Sequence, residues 1–148
     1  MNDLLLVCGG FLLAVLWFDL MFDVQVRGQP DGDLPEPMLA SIAGYYRRVT
    51  TDAAPMSYAV ALAMGLGLLS LLVQLMRGTA PRWVSLASLL LVGGAVALAA
   101  RVVPNAIRLG ARRDPIATQS ALARAILRDH LACLAAIAVF LALQLAAG

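Results

Sequence analysis

Asp19 and Asp23 stand four residues apart at the end of the first apolar run of this chain, and its single histidine, His130, opens the last one. Between them in sequence, Arg101, Asn105, Arg108 and Arg112 step by four, three and four, which makes one stripe along a helix. Arg124 and Arg128 repeat the four-residue step, with Asp129 and His130 directly after. Charged groups inside apolar segments are costly in hydrocarbon, and each is a functional-site hypothesis by default. Histidine titrates around neutrality and suits general-base work. Arginine can hold an anionic or enolate oxygen. The candidate polar pocket therefore gathers His130, Arg101 and Asn105. Asp19, Asp23, Arg108, Tyr45, Tyr46 and Arg128 are expected around the substrate. Arg128 and His130 point about 200° apart on one helix, so both cannot face one pocket directly.

The same residues admit a structural reading. Asp19 or Asp23 would then neutralise Arg101 in an ion-pair belt, while Arg124 and Arg128 snorkel to phosphates. No metal is expected: Asp19, Asp23, His130 and Cys133 could hold iron or manganese, but a di-iron bundle uses more glutamate and paired histidines. No glutamate lies in any apolar run, and there is no P-loop, cysteine pair or haem-ligand pair. No cofactor is expected.

The elements that position these groups follow from hydropathy. The chain is 61% hydrophobic and 14% charged, with mean hydropathy +0.85, against about a quarter charged in soluble domains. Four apolar runs, Leu4–Met21, Tyr58–Met76, Trp83–Val103 and Leu131–Ala147, approach the roughly 20 residues that span a hydrocarbon core. Backbone polar groups must be satisfied internally there, so the runs are helices. The expected fold is all-α: an integral membrane four-helix bundle in one domain, 1–148, with helices at 4–24, 56–76, 83–104 and 115–147. Within the first loop, Met38, Leu39, Ile42, Ala43, Tyr46 and Val49 recur at helical spacing. They predict a short amphipathic helix over 37–50, in the interface, with Tyr45 or Tyr46 at headgroup level. Pro104 should kink or end the third span, and Gly110 should stop any continuation. Asp114 and Pro115 form an N-cap and first-position signature for the last helix.

The N-terminal run lacks a basic n-region and a cleavage site, so it should remain as the first helix. All eleven basic residues are arginine, and the net charge of +2 gives no ground for nucleic acid as a partner. Nine of the eleven arginines fall around the first and third loops and two, Arg77 and Arg82, in the second. The first and third loops are thus expected in the cytoplasm and the termini outside. Cys8 and Cys133 should differ in depth by about 15 Å, too far for a disulfide. The small-residue stripes Ala59, Ala63, Gly67 and Gly93, Ala97 suit internal packing and homo-oligomer contacts alike.

Two stretches carry a resemblance. Val103-Pro104-Asn105-Ala106-Ile107-Arg108-Leu109, followed by Arg124-x-x-x-Arg128-Asp129-His130 into an alanine-rich last helix, resembles the anthrone-oxygenase-like family. Tyr45-Tyr46-Arg47-Arg48 ahead of Pro55-Met56 fits the same pattern. These are four-helix bacterial and fungal membrane proteins, most of unknown function. The likeness covers topology along the whole chain and specific residues near 45–56 and 103–130. It implies a bacterial cytoplasmic membrane and cofactor-free oxidation of an activated phenolic methylene by dioxygen. His130 would be the base, and Arg101, Asn105 or Arg108 would stabilise the enolate. The bilayer and a lipophilic small molecule are the partners so implied. The competing expectation is a structural or accessory membrane subunit whose Asp/Arg layer packs helices or docks a partner. A transporter would need a polar path to both faces, and the outer half offers only Ser70, Gln74, Ser85 and Ser88.

Overall fold

Residues 2–53 and 55–147 are described by the structure, a computed structural model. Met1 and Gly148, the ends of the expected domain, and Ala54 lie outside the described residues. Helices α1 (Asn2–Asp23), α2 (Glu36–Arg47), α3 (Pro55–Arg77), α4 (Arg82–Ala111) and α5 (Ile116–Ala147) make up the chain. All but α2 are long and apolar enough to cross a membrane. The protein is an all-α bundle and reads as an integral membrane protein. Neighbours around the bundle run α1, α3, α4, α5 and back to α1, and α2 lies mainly on α4.

Chain order puts the start of α1, the end of α5 and the 78–81 turn at one end and α2 with the 112–115 turn at the other. Gly78 closes α3 in the left-handed region, at φ +63°. The Thr79 N–H then donates to the Gln74 carbonyl at 3.3 Å, which leaves only a short turn to α4. At the opposite end Gly28 and Gly32 take positive φ and fold the loop back. Pro35, Glu36 and Pro37 start α2, prolines with fixed φ and an acid at the helix's positive end. Ser120 Oγ accepts from the Leu34 N–H at 2.9 Å, and the Arg124 guanidinium donates to the carbonyls of Pro30 and Gly32. The loop is thereby strapped to α5.

Helix α2 is amphipathic, but its apolar face is not immersed in lipid. Leu39, Ile42, Ala43 and Tyr46 are buried against Val102, Ala106, Leu109, Ala123 and Ile126. A surface helix reads the same whether protein or lipid receives its apolar stripe, and here protein does. A five-residue π turn, Arg48–Asp52, joins α2 towards α3.

Helix α4 runs through Pro104 to Ala111, seven residues past the expected end. Proline inside a helix costs about 3 kcal/mol. Burying Val102 and Leu109 with Ala106 against α2 returns about 1.5–3 kcal/mol for each large side chain, so the helix continues. Pro104 sits on the exposed side. Gly110 does not stop the helix either; Arg112 does, in the left-handed region at φ 54°. The glycine serves packing instead, since a Cβ there would lie 2.8 Å from the Arg47 backbone nitrogen. Asp114 accepts from the Arg108 guanidinium at 3.0 Å, and α5 opens after Pro115.

Gly110→Ala is expected to destabilise the bundle by about 1–3 kcal/mol, because backbone and not a flexible side chain must move. Gly65→Ala meets nothing within 4 Å and should be neutral or slightly stabilising. Thermal unfolding of both variants in one detergent reads the difference, and equal midpoints would refute the close α2–α4 approach.

Candidate functional site

Asp23 ends α1 and is 1% exposed. A buried carboxylate survives only when its oxygens find donors, and two converge on it. The Tyr46 hydroxyl of α2 donates to Oδ1 at 2.6 Å, and His130 Nδ1 of α5 lies 2.6 Å from Oδ2. A carboxylate only accepts, so Nδ1 carries a proton towards Asp23, and Nε2 is turned towards Asp19. One turn earlier on α1, Asp19 accepts from the Tyr45 hydroxyl at 2.7 Å and stands 3.8 Å from His130 Nε2. Phe22 stacks on Tyr45 with ring centroids 4.1 Å apart. Three helices thus supply one polar cluster, and α2, which does not cross the bundle, supplies both phenols.

Burial pushes the Tyr45 phenol above its ordinary range, and its hydrogen bond to Asp19 and the charges of Asp19 and Asp23 push it further. Burial, then the charges of Asp23 and Asp19, raises Tyr46 in the same way. Both hydroxyls therefore stay protonated as donors.

The cluster forms the polar end of a cavity of about 370 Å³, within the size range of small-molecule sites. Leu12, Val15 and Leu16 of α1, Val60 and Met64 of α3, Ala95 and Ala99 of α4, and Cys133 and Ile137 of α5 make its walls. Asp19, Tyr45, Tyr46 and His130 close one end, and the π turn with Met56 and Ser57 adds the roof. Phe18, Met56 and Val103 line the cavity and are also exposed on the outside of the bundle. The cavity therefore opens sideways, where acyl chains would lie.

Of the expected site residues, Asp19, Asp23, Tyr45, Tyr46 and His130 come together. The arginines do not join them. Arg101 is 61% exposed and donates to Asp129 Oδ1 at 3.0 Å; Arg128, 74% exposed, reaches the same oxygen at 3.5 Å. Arg108 holds Asp114 and Arg112 holds Glu36. Asn105 is half-buried on the Arg101 side of α4 and does not line the cavity. The expected pairing of Asp19 or Asp23 with Arg101 is replaced by tyrosine and histidine partners. Asp129, which sequence reasoning left without a role, is the carboxylate that holds Arg101. Its position beside Arg128 and about 100° from His130 was the available signal. Cys133, one turn past His130, lines the cavity; Cys8 and Cys133 are buried free thiols. Among the described residues no group of three or more His, Cys, Asp or Glu is arranged to hold a metal ion.

No protein-family model, no curated protein and no solved structure matches this chain.

Tyr46→Phe removes one of the two donors to Asp23 and should cost about 1–3 kcal/mol, read as a lowered unfolding midpoint. Both phenols ionise later in the folded protein than in the unfolded chain. The stability they contribute is intact below about pH 10 and falls as pH rises above it. Tyrosinate absorbance that disappears in the Tyr45→Phe/Tyr46→Phe double variant should therefore develop only above pH 10. Development at pH 10 or below would contradict the buried pairing.

Proposed function

We propose that this protein is a membrane-embedded enzyme that binds a lipophilic aromatic molecule in the cavity and removes an acidic proton from it with His130. The observation that carries the reading is an imidazole oriented by Asp23, its Nε2 turned towards Asp19, at the polar end of an apolar, laterally open cavity. Proton transfer to Nε2 forms an imidazolium between Asp23 and Asp19, and both carboxylates stabilise it. The conjugate anion stays paired with that new cation. No arginine lines the cavity, so a substrate already bearing a carboxylate would meet Asp19 without a counter-charge. The fitting substrate is neutral before reaction.

The sequence resemblance adds dioxygen as the oxidant. The carbanion of an activated phenolic methylene gives an electron to dioxygen, and the resulting radicals combine at carbon. The proton held on His130 returns to the peroxide, which loses water to leave a carbonyl. One methylene and one dioxygen yield one carbonyl and one water. In this scheme His130 acts, Asp23 orients it, and Asp19 with Tyr45 shapes the polar end. Arg101 acts outside it. The reading includes a bacterial cytoplasmic membrane with the α2 end in the cytoplasm, supported by the nine-to-two arginine distribution.

A structural or accessory role is the second reading. It is favoured by the closed Tyr46–Asp23–His130 network, which stitches α2, α1 and α5 together. Transport finds less support, because the buried polar residues Ser70, Gln74, Ser85, Ser88 and Gln144 do not line the cavity.

Oxygen uptake with an anthrone in detergent tests the enzyme reading. Wild type should turn over above buffer, His130→Ala should lose at least about 100-fold, and Arg101→Ala should keep most of the rate. A well-folded wild type without turnover, whose His130→Ala variant unfolds earlier, would instead favour the structural role.

A further inference from the structure

The outer face of α4 and α5 carries a second feature, separate from the cavity. A groove of about 470 Å³ runs along it, lined by Leu90, Gly94, Ala97, Leu98 and Ala136 and ending at Arg101. At that end two guanidiniums share one carboxylate oxygen: Arg101 at 3.0 Å and Arg128 at 3.5 Å, both on Asp129 Oδ1. Asp129 is nearly fully buried and both arginines are exposed. Two positive charges against one negative leave a net positive charge at the mouth of an apolar groove.

We infer that this groove holds an anionic phospholipid, one acyl chain along α4 and the phosphate between Arg101 and Arg128. The depth fits. From Arg82, at the start of α4, to Arg101 is 19 residues, a rise of about 28 Å, so Arg101 stands at the far edge of a hydrocarbon core about 30 Å thick. From Leu90 to Arg101 is 11 residues, about 16 Å, close to one leaflet of that core. The chemistry fits as well. Arg101 spends one nitrogen on Asp129, and the rest of its planar fork remains for phosphate oxygens. Asp129 holds the two guanidiniums side by side before the lipid arrives. Gly94 and Ala97 keep the groove floor low enough for a chain to lie in it, and a Cβ at Gly94 meets nothing within 4 Å. The leaflet is the one at the α2 end, the same level at which the cavity opens.

Native mass spectrometry of the full chain released from detergent, with phosphatidylglycerol and phosphatidylcholine supplied in equal amounts, tests this assignment. Wild type should retain one phosphatidylglycerol at least about tenfold over phosphatidylcholine, the lower end of one charge-assisted contact. Arg101→Gln should reduce that preference to below twofold. Arg128→Gln should do the same, and supplies the test if Arg101→Gln fails to fold. Gly94→Leu, which fills the groove while leaving both arginines, should lower retention of both lipids. Inorganic phosphate at millimolar concentration should not displace the lipid. Equal retention of the two lipids by wild type would overturn the assignment. So would undiminished preference in both arginine variants, displacement by phosphate, or a lipid-free dimer as the main species.

Discussion

A carboxylate buried at the end of α1 has to be satisfied, and much of the arrangement follows from how that is done. Asp23 cannot reach water, and it takes its donors from two other elements: the Tyr46 hydroxyl and the His130 imidazole. Tyr46 can arrive only if α2 lies across the end of the bundle. That placement buries Leu39, Ile42 and Ala43 against the last turns of α4 and the first turns of α5. It also explains why α4 continues through Pro104, since Val102, Ala106 and Leu109 form the surface on which α2 rests. One polar requirement and one apolar surface point the same way, which is the consistency expected of a sequence that specifies a single structure.

The charges sort by the reach of their side chains. Aspartate is short, so Asp19 and Asp23 stay where the backbone puts them and recruit phenols and an imidazole from inside. Arginine is long, and Arg101, Arg108 and Arg128 keep exposed guanidiniums while reaching Asp114 and the buried Asp129. The interior consequently has an acceptor-rich end with one imidazole, and the exterior of the same level is cationic. A neutral, proton-donating lipophile suits the first environment and an anionic headgroup the second.

Packing is uneven along the bundle. One buried cluster joins α2 to α4 and α5 at one end, and another fills the middle and far half around Leu5, Leu71, Val92 and Phe140. The cavity lies where the two meet. The first turns of α3 are largely exposed there, and the π turn before them adds a kind of irregularity that often accompanies functional sites.

The spans, the amphipathic segment and the convergence of Asp19, Asp23, the tyrosines and His130 were legible in the sequence, because hydropathy sets length and helical spacing sets faces. Their places at the end of the first apolar run and the start of the last put the aspartates and His130 at one end of the bundle. Which of them would touch was not legible, since a shared level says nothing of the direction a helix faces. Arg101 and His130 occupy the same stratum, yet one looks out from α4 towards Asp129 and the other looks in towards Asp23. The protein environment of α2 was equally hidden, because an apolar stripe reads the same towards lipid or protein. The sequence alone therefore determined the bundle and the level of its polar groups. Tertiary structure decided which became a cavity and which a surface, because the rotation of each helix is set by packing against neighbours distant along the chain.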